Sequence, residues 1–138
     1  MASTFTDLGL ELMATGENAG TWGTKTNANL NLIEQLTGGF ATVSIAGGAG
    51  TTTLDVDDGA LTGTAQQRVI EFTGSISGNR IITIPNDVET FYILKNSTTG
   101  ANTVQFKYAT GSGASTTFSA TDKGTKIVYA SASPDATN

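Results

Sequence analysis

Two different spacings of apolar residues divide the chain near residue 39. From Phe40 onward, apolar and polar side chains alternate in short runs such as ATVSIA at 41–46, RVIEFTG at 68–74 and TVQFKY at 103–108. A period of two is typical of half-buried strands, and about eight such runs are separated by turns rich in Gly, Asn and Ser. The pattern predicts a mainly β domain over residues 40–138, folded as an antiparallel β-sandwich or a barrel-like sheet. We see no long internal repeat in it.

The N-terminal segment, residues 1–39, begins with a stretch that reads as extended chain. Leu8, Leu10 and Leu12 occur at every second position, so we expect them to lie on one side of it. A single strand is not stable alone in water and needs a surface to pair with. The sequence therefore predicts an extended N-terminal arm.

One short helix is predicted at about 27–37, immediately before the β domain. Thr26 is placed to cap its N-terminus and Gly38 to end it in a left-handed conformation. Leu30, Ile33 and Leu36 follow at intervals of three on one face, with Leu32 beside them. A helix this short is marginal in water without packing, so this face is expected to seat it.

Trp22, the only tryptophan, lies between the arm and the predicted helix, close to Gly20 and Gly23. It has no apolar neighbours in the sequence, and a buried indole commonly anchors an interface. It either folds back onto its own sheet or inserts into another chain, and we predict the second. The predicted arm contacts are Leu8, Leu10, Leu12 and Trp22, with Leu30 and Ile33 seating the helix.

The composition favours assembly with other polypeptides. Charged residues make up 14% of the 138 residues, well below the usual level of about 25%. Hydroxyl and amide side chains cost less free energy to cover than unpaired charges do. The net charge of −5 argues against a nucleic-acid partner, which would require clustered cations.

The sequence contains neither a signal-peptide pattern at its start nor an apolar window long enough to span a bilayer. We expect an unprocessed, soluble product with no membrane partner. Cysteine is absent, so no disulfide framework is expected.

Catalytic chemistry is not expected, because histidine is absent. Asp55 and Asp57 fall on one face of a predicted strand and could form a carboxylate pair for glycoside hydrolysis, but a solvated strand face is the favoured interpretation. With Asp58 they also offer oxygen ligands for calcium, without the rest of a calcium loop. We expect no cofactor and no metal.

Four aromatic side chains, Phe91, Tyr92, Tyr108 and Tyr129, offer a stacking platform for sugars or single-stranded nucleic acid. Each lies in an apolar run, so core packing is the favoured interpretation.

Two long stretches of the sequence resemble a known group of proteins. The first is ELMATGENAGTWGTKTNANLNLIEQLTGGF at 11–40, which is similar to the N-terminal signature of structural proteins from tailed bacteriophages, particularly marine and cyanobacterial ones. RVIEFTGSISGNRIITIPNDVETFYILKNSTTGANTVQFK at 68–107, followed by GTKIVYAS at 124–131, is similar to a β module of tail fibres and other virion surface proteins.

The resemblance implies a non-enzymatic virion structural protein, made in the host cytoplasm and placed on the virion surface. Such proteins are generally homo-oligomers, often trimers, and bind other virion proteins. Tail fibres usually continue into a long shaft or a receptor-binding tip, so a chain of 138 residues fits a capsid decoration (cement) protein on the major capsid protein better. The alternative is a tail-fibre, collar or other appendage component that binds a receptor or links to a longer fibre.

Overall fold

The structure is a computed structural model that describes residues 2–135. Residue 1 of the predicted N-terminal segment and residues 136–138 of the predicted β domain lie outside the described residues. It contains one helix, α1 (Trp22–Gly38), and ten strands: β1 (Thr4–Phe5), β2 (Glu11–Leu12), β3 (Phe40–Ser44), β4 (Gly50–Thr53), β5 (Val69–Thr73), β6 (Arg80–Ile84), β7 (Glu89–Asn96), β8 (Val104–Tyr108), β9 (Thr116–Phe118) and β10 (Thr125–Ser131). The prediction of a mainly β protein with one helix is confirmed.

Strands β3 to β10 form two four-stranded sheets. Sheet I has the order β10-β7-β5-β3 and sheet II the order β4-β6-β8-β9. Strands β3, β5 and β7 run parallel to one another, as do β4, β6 and β8, while β10 and β9 add antiparallel strands. The sheets are therefore mixed and neither closes into a barrel. The antiparallel prediction is wrong for these parallel pairs, because alternation reveals a buried face but not a strand's direction.

The parallel strands come from three stacked coils, each of which gives one strand to each sheet. The chain passes from β3 to β4, from β5 to β6 and from β7 to β8 through a short turn. The turns also stack, since Gly47 pairs with Ile76 and Ser75 pairs with Thr99. Phe40 and Val69 hold the same position on successive coils, a structural repeat without a repeated sequence.

Both sheets bury one face in a shared core. Tyr92 of sheet I meets Phe106 of sheet II edge to face, with ring centroids 5.6 Å apart. The largest fully buried side chains of the two sheets are Phe72, Tyr92, Leu94, Ile70, Ile82, Ile84 and Phe118. Tyr92 also donates its hydroxyl hydrogen to the carbonyl oxygen of Ala65, at 2.7 Å. Its buried polar atom is thereby paired, as a core requires.

Helix α1 is longer than predicted and begins at Trp22 rather than near residue 27. The amide nitrogens of Thr21 and Trp22 both donate to the carbonyl oxygen of Asn18, at 2.8 Å, which starts the first turn early. Thr26 therefore lies inside the helix and caps nothing. Gly39, which follows the helix, is extended (φ −68, ψ 149), so the left-handed cap predicted at Gly38 is also wrong. Among residues 2–135, no helix has the length and apolarity needed to cross a bilayer.

The N-terminal segment is a small hairpin rather than one extended arm. Strands β1 and β2 pair antiparallel, and the amide of Thr6 donates to the carbonyl oxygen of Leu10 at 2.9 Å. Gly9 makes the reversal possible because its φ of 81 suits glycine best. The predicted shared side for Leu8, Leu10 and Leu12 is therefore wrong. Leu8 instead packs against the core of the sheets.

Candidate interaction surfaces

One face of helix α1 holds it to the rest of the chain. Leu32, on this face, is fully buried. The side chain of Asn29 accepts a hydrogen bond from the Glu11 amide at 2.9 Å and donates one to the Glu11 carbonyl oxygen at 2.8 Å. Gln35 donates to the carbonyl oxygen of Gln66 at 3.1 Å. Leu32 therefore seats the helix, and Leu30 and Ile33, which were predicted to do so, point elsewhere.

A second face of α1 carries apolar side chains into solvent. At about 100° per residue, Trp22, Thr26, Leu30, Ile33 and Thr37 fall within about 80° of arc. We call these five residues the helix stripe. Trp22 is 65% exposed, and Leu30 and Ile33 are exposed as well. The stripe therefore brings the predicted arm contact Trp22 together with Leu30 and Ile33, which were predicted to seat the helix.

The other three predicted contacts are dispersed. Leu12, on β2, is exposed. Leu10 is half-buried, and Leu8 is half-buried against the core. The Leu8 side chain thus packs mainly against its own chain, whereas the Leu12 side chain remains accessible to a partner.

The outer face of sheet I carries a second exposed apolar surface. The strand registers align Phe40, Val69, Ile93 and Ile127 in one row across all four strands, and Phe91 with Tyr129 in the next row. We call these six residues the sheet patch. Ile127 is 73% exposed and Tyr129 66% exposed. Core packing is confirmed for Tyr92 and Tyr108, but it is wrong for Phe91 and Tyr129.

Arg68 connects the helix stripe with the sheet patch. Its guanidinium carbon lies 3.7 Å above the centre of the Phe91 ring, a cation–π contact. The same side chain donates to the carbonyl oxygens of Thr37, at 3.4 Å, and of Phe91, and to the Thr90 hydroxyl at 3.2 Å. The C-terminal end of the stripe therefore adjoins the patch, with the Arg68 guanidinium between them.

Polar groups border the sheet patch. Glu71 and Lys95 occupy the adjacent row on the same outer face, and they form an ion pair at 3.1 Å. At the other border, Tyr129 donates its hydroxyl hydrogen to Glu89 at 2.9 Å. That hydrogen bond to a carboxylate raises the pKa of Tyr129. An apolar centre with a polar rim is the usual composition of a protein–protein interface.

An ion pair fastens the N-terminal hairpin to the helix. Lys25 lies 3.0 Å from the Glu11 carboxylate, which is almost fully buried. Asn18 also donates to this carboxylate, at 3.4 Å. The Lys25 ammonium, followed by smaller contributions, holds the pKa of Glu11 below its usual value.

The depressed pKa of Glu11 gives a pH dependence with a definite sign. The stabilisation is complete above the ordinary carboxyl pKa of about 4.3, and it is lost as the pH falls through the lower folded value. In a carboxyl NMR titration we expect Lys25→Gln to raise the pKa of Glu11 towards the ordinary value. If Glu11 titrates at the same pH in both proteins, the ion pair does not anchor the hairpin.

The two carboxylates considered for catalysis, Asp55 and Asp57, instead accept hydrogen bonds within a loop. Strand β4 ends at Thr53, so Asp55 and Asp57 do not lie on a strand as predicted. Asp55 accepts from the amide and hydroxyl of Thr64, at 2.9 and 2.6 Å, and these bonds lower its pKa. Asp57 accepts from the Thr62 hydroxyl at 2.6 Å. Within residues 2–135 there is no group of three acidic, His or Cys side chains able to hold a metal ion.

Comparisons of this chain with protein-family models, with curated proteins and with solved structures found no match. The two exposed surfaces are therefore interpreted from their own chemistry.

The sheet patch had one signal in the sequence. The run VETFYILKN at 88–96 is apolar on both faces, which a half-buried strand does not need. Its odd positions, Phe91 and Ile93, form the centre of the patch.

Proposed function

We propose that this chain is a non-enzymatic structural protein of a tailed bacteriophage virion. Its role in this proposal is that of a homo-oligomeric capsid decoration protein attached to the major capsid protein. The observation that carries the proposal is the presence of two neighbouring exposed apolar surfaces, the helix stripe and the sheet patch, with Trp22 65% exposed on the stripe. The resemblance of residues 11–40 and 68–107 to phage structural proteins supports the choice of partner.

Burial of the exposed apolar side chains would contribute enough free energy to anchor a subunit. An indole buries about 150–250 Å² in all, and at about 25 cal/mol per Å² the exposed part of Trp22 is worth about 3 kcal/mol. Leu30 and Ile33, one helical turn apart on the same stripe, add apolar area beside it. Tryptophan is among the residue types that most often supply the binding energy of an interface. Many copies on one shell multiply this affinity through avidity.

The oligomeric state expected from the resemblance is a trimer. Such an assembly would place its copies at symmetric positions on the virion surface. The low content of charge lets the subunits cover one another without burying unpaired ions.

A tail-fibre or collar component is the second candidate, and one observation favours it. Phe91 and Tyr129 lie side by side on the exposed sheet face, with Arg68 on one ring and Glu89 bonded to the other. Aromatic faces with polar groups at their edges suit a sugar or a peptide of a receptor. In this alternative the sheet patch binds the receptor and the helix stripe attaches to the fibre.

Labelling of purified particles tests the proposal and separates the two candidates. Gold-tagged antibodies against the chain are applied to particles of the phage that encodes it and viewed by electron microscopy. A decoration protein labels the whole head, whereas a fibre or collar component labels one vertex. Absence of the chain from purified particles, judged by mass spectrometry, would refute both candidates.

Trp22→Ala is expected to weaken attachment to undecorated heads by about 2 kcal/mol, roughly thirtyfold in the dissociation constant. The indole is exposed, so fold stability should change little. Sedimentation with heads gives the affinity, and thermal unfolding checks the fold. Leu61→Ala is the matched control, because Leu61 is exposed on a loop outside both surfaces. Equal loss in both variants would mean that Trp22 is not an anchor.

A further inference from the structure

The first coil, residues 40–53, forms an open end of the stack. Within residues 2–135, β3 is the last strand of sheet I and β4 the first strand of sheet II, so each pairs with a described strand on one side only. Both edges belong to the same coil, because β3 continues into β4 through the turn at 45–49. Nearly all residues from 46 to 53 are exposed.

The backbone groups that point away from the stack can be assigned. In sheet I the Val69 amide donates to the Gly39 carbonyl oxygen at 2.8 Å, and the Ile45 amide to that of Thr73 at 2.9 Å. In a parallel ladder only alternate residues bond to a given neighbour. Phe40, Thr42 and Ser44 therefore direct their N–H and C=O groups outward.

Strand β4 follows the same rule. The Gly50 amide donates to the Asn79 carbonyl oxygen at 3.2 Å, and the Leu54 amide to that of Thr83 at 2.8 Å. The outward groups of β4 thus belong to Thr51 and Thr53. We call the outward backbone groups of Phe40, Thr42, Ser44, Thr51 and Thr53 the open edge.

The open edge lacks the usual protection against pairing. Proteins block exposed sheet edges with charged side chains, proline, bulges or very short strands. Between Glu34 and Asp55 the sequence contains neither a charged residue nor a proline. The opposite end differs, since β9 spans only three residues and Lys126 on β10 forms an ion pair with Asp122 at 3.0 Å.

The first coil is also held rigidly. The Arg80 guanidinium donates to the Gly48 carbonyl oxygen and to the Thr52 hydroxyl, both at 2.8 Å, and so fixes the turn and β4 to the second coil. A pre-ordered edge loses little conformational entropy when a partner strand binds.

We propose that the open edge pairs with the open edge of a second copy of this chain. A two-fold axis perpendicular to both sheets would relate the two copies. It would place β3 antiparallel to its counterpart, with Thr42 opposite Thr42 of the partner subunit. It would also place β4 antiparallel to its counterpart, with Thr51 opposite Thr53 of the partner subunit. Each sheet would then continue into the matching sheet of the partner. This pairing needs no virion and goes beyond the proposed function.

A second copy fits this edge better than an unrelated extended peptide. The partner must present two edge strands at once, at the spacing of the two sheets, and the first coil of another copy does so by symmetry. The edge is uncharged, so two copies meet without repulsion. Thr42 faces its own counterpart, and threonine pairs are favourable across antiparallel strands. Ala41 and Val43 are half-buried and gain cover, because Ala41 faces Val43 of the partner subunit and Val43 faces Ala41 of the partner subunit.

The molecular mass of the full chain in solution tests the pairing. We expect sedimentation at about 100 µM to give twice 14.1 kDa, or an even multiple where other surfaces also assemble copies. Thr51→Lys puts a charge on the exposed edge strand β4 and should raise the dissociation constant of the pair at least tenfold. Thr42→Pro removes an outward N–H without removing a bond to β5, and should do the same.

Thr117→Lys is the matched control, because Thr117 is an exposed threonine on β9 at the opposite end. It should leave the mass unchanged. A monomeric wild-type chain overturns the proposal, and so does an oligomer whose mass Thr51→Lys leaves intact. An oligomer that dissociates with Trp22→Ala but not with Thr51→Lys would assign assembly to the helix stripe and also overturn it. Because Thr51 is exposed, this variant remains informative even if Thr42→Pro fails to fold.

Discussion

Replacing Gln66 with leucine is expected to lower the free energy of unfolding by about 3 kcal/mol and to release the N-terminal hairpin. The Gln66 side chain is fully buried. Its amide nitrogen donates to the carbonyl oxygens of Leu8, at 2.8 Å, and of Asp57, at 3.2 Å, while its oxygen accepts from the Asp57 amide at 3.1 Å. Leucine has a similar size but leaves the Leu8 carbonyl oxygen and the Asp57 amide without a partner, which is the costly case. The Asp57 carbonyl oxygen keeps its bond from the Ala60 amide at 3.2 Å.

Two measurements separate the stability effect from the release of the hairpin. Urea unfolding gives the free energy, and hydrogen exchange follows the amides of Gly59 and Glu11, which bond to Gly9 and Asn29. Both amides should exchange faster in Gln66→Leu. Gln105→Leu is the matched control, since Gln105 makes a single exposed bond to Ser115 at 2.9 Å and should cost little. Slow exchange in the Gln66 variant would show that other contacts hold the hairpin.

Gln66→Glu refines the same test. Glutamate keeps the shape and the accepting oxygen but donates to neither carbonyl when ionised, and its buried charge is unfavourable. We expect this variant to be at least as unstable as Gln66→Leu at neutral pH, and to recover partly on acidification. Recovery follows because a protonated carboxyl can again donate one hydrogen bond.

The positions of the strands could be predicted from the sequence, but their directions could not. The run TVQFKY shows which side chains are buried, because alternation depends only on the strand itself. Whether Phe106 has a parallel or an antiparallel neighbour depends on residues far away in the chain, here Ile82 and Thr116. The turns after β3, β5 and β7 resemble hairpin turns, yet each carries the chain from one sheet to the other.

The candidate surfaces were only partly predictable. The exposure of Trp22 agrees with its lack of local apolar partners, while its place in the first turn of α1 depends on the bonds to Asn18. No sequence pattern marks Gln66 as a connector, because its partners become neighbours only in the folded chain. The sheet patch arises from the register between β7 and β10, so Phe91 and Tyr129 were assigned to the core.

Gly100→Ala is expected to have the largest effect on stability, about 4 kcal/mol in the free energy of unfolding. Gly100 lies in the turn of the third coil, with a φ of 100 that side chains other than hydrogen rarely allow. A methyl group there would also collide with the carbonyl oxygen of Ile76 in the turn of the second coil. The variant therefore combines backbone strain with a clash that pushes two coils apart.

Three further glycines separate these two contributions. Gly47 has a φ of 119 but nothing within 4 Å of an added methyl group, so Gly47→Ala should cost only the strain, about 1–2 kcal/mol. Gly78 has an ordinary backbone but lies against the backbone of Ala49, so Gly78→Ala should cost the clash, about 2 kcal/mol.

Gly48 has neither feature, since its nearest neighbour is the Ser77 hydroxyl oxygen at 3.9 Å, and Gly48→Ala is the control. Urea unfolding of the four variants should rank Gly100 above Gly78 and Gly47, and these above Gly48. The effect at Gly100 should approach the sum of those at Gly47 and Gly78, because strain and clash act through different atoms. If Gly78→Ala and Gly100→Ala both unfold like wild type, the turns of successive coils do not touch, and the stacked arrangement is wrong.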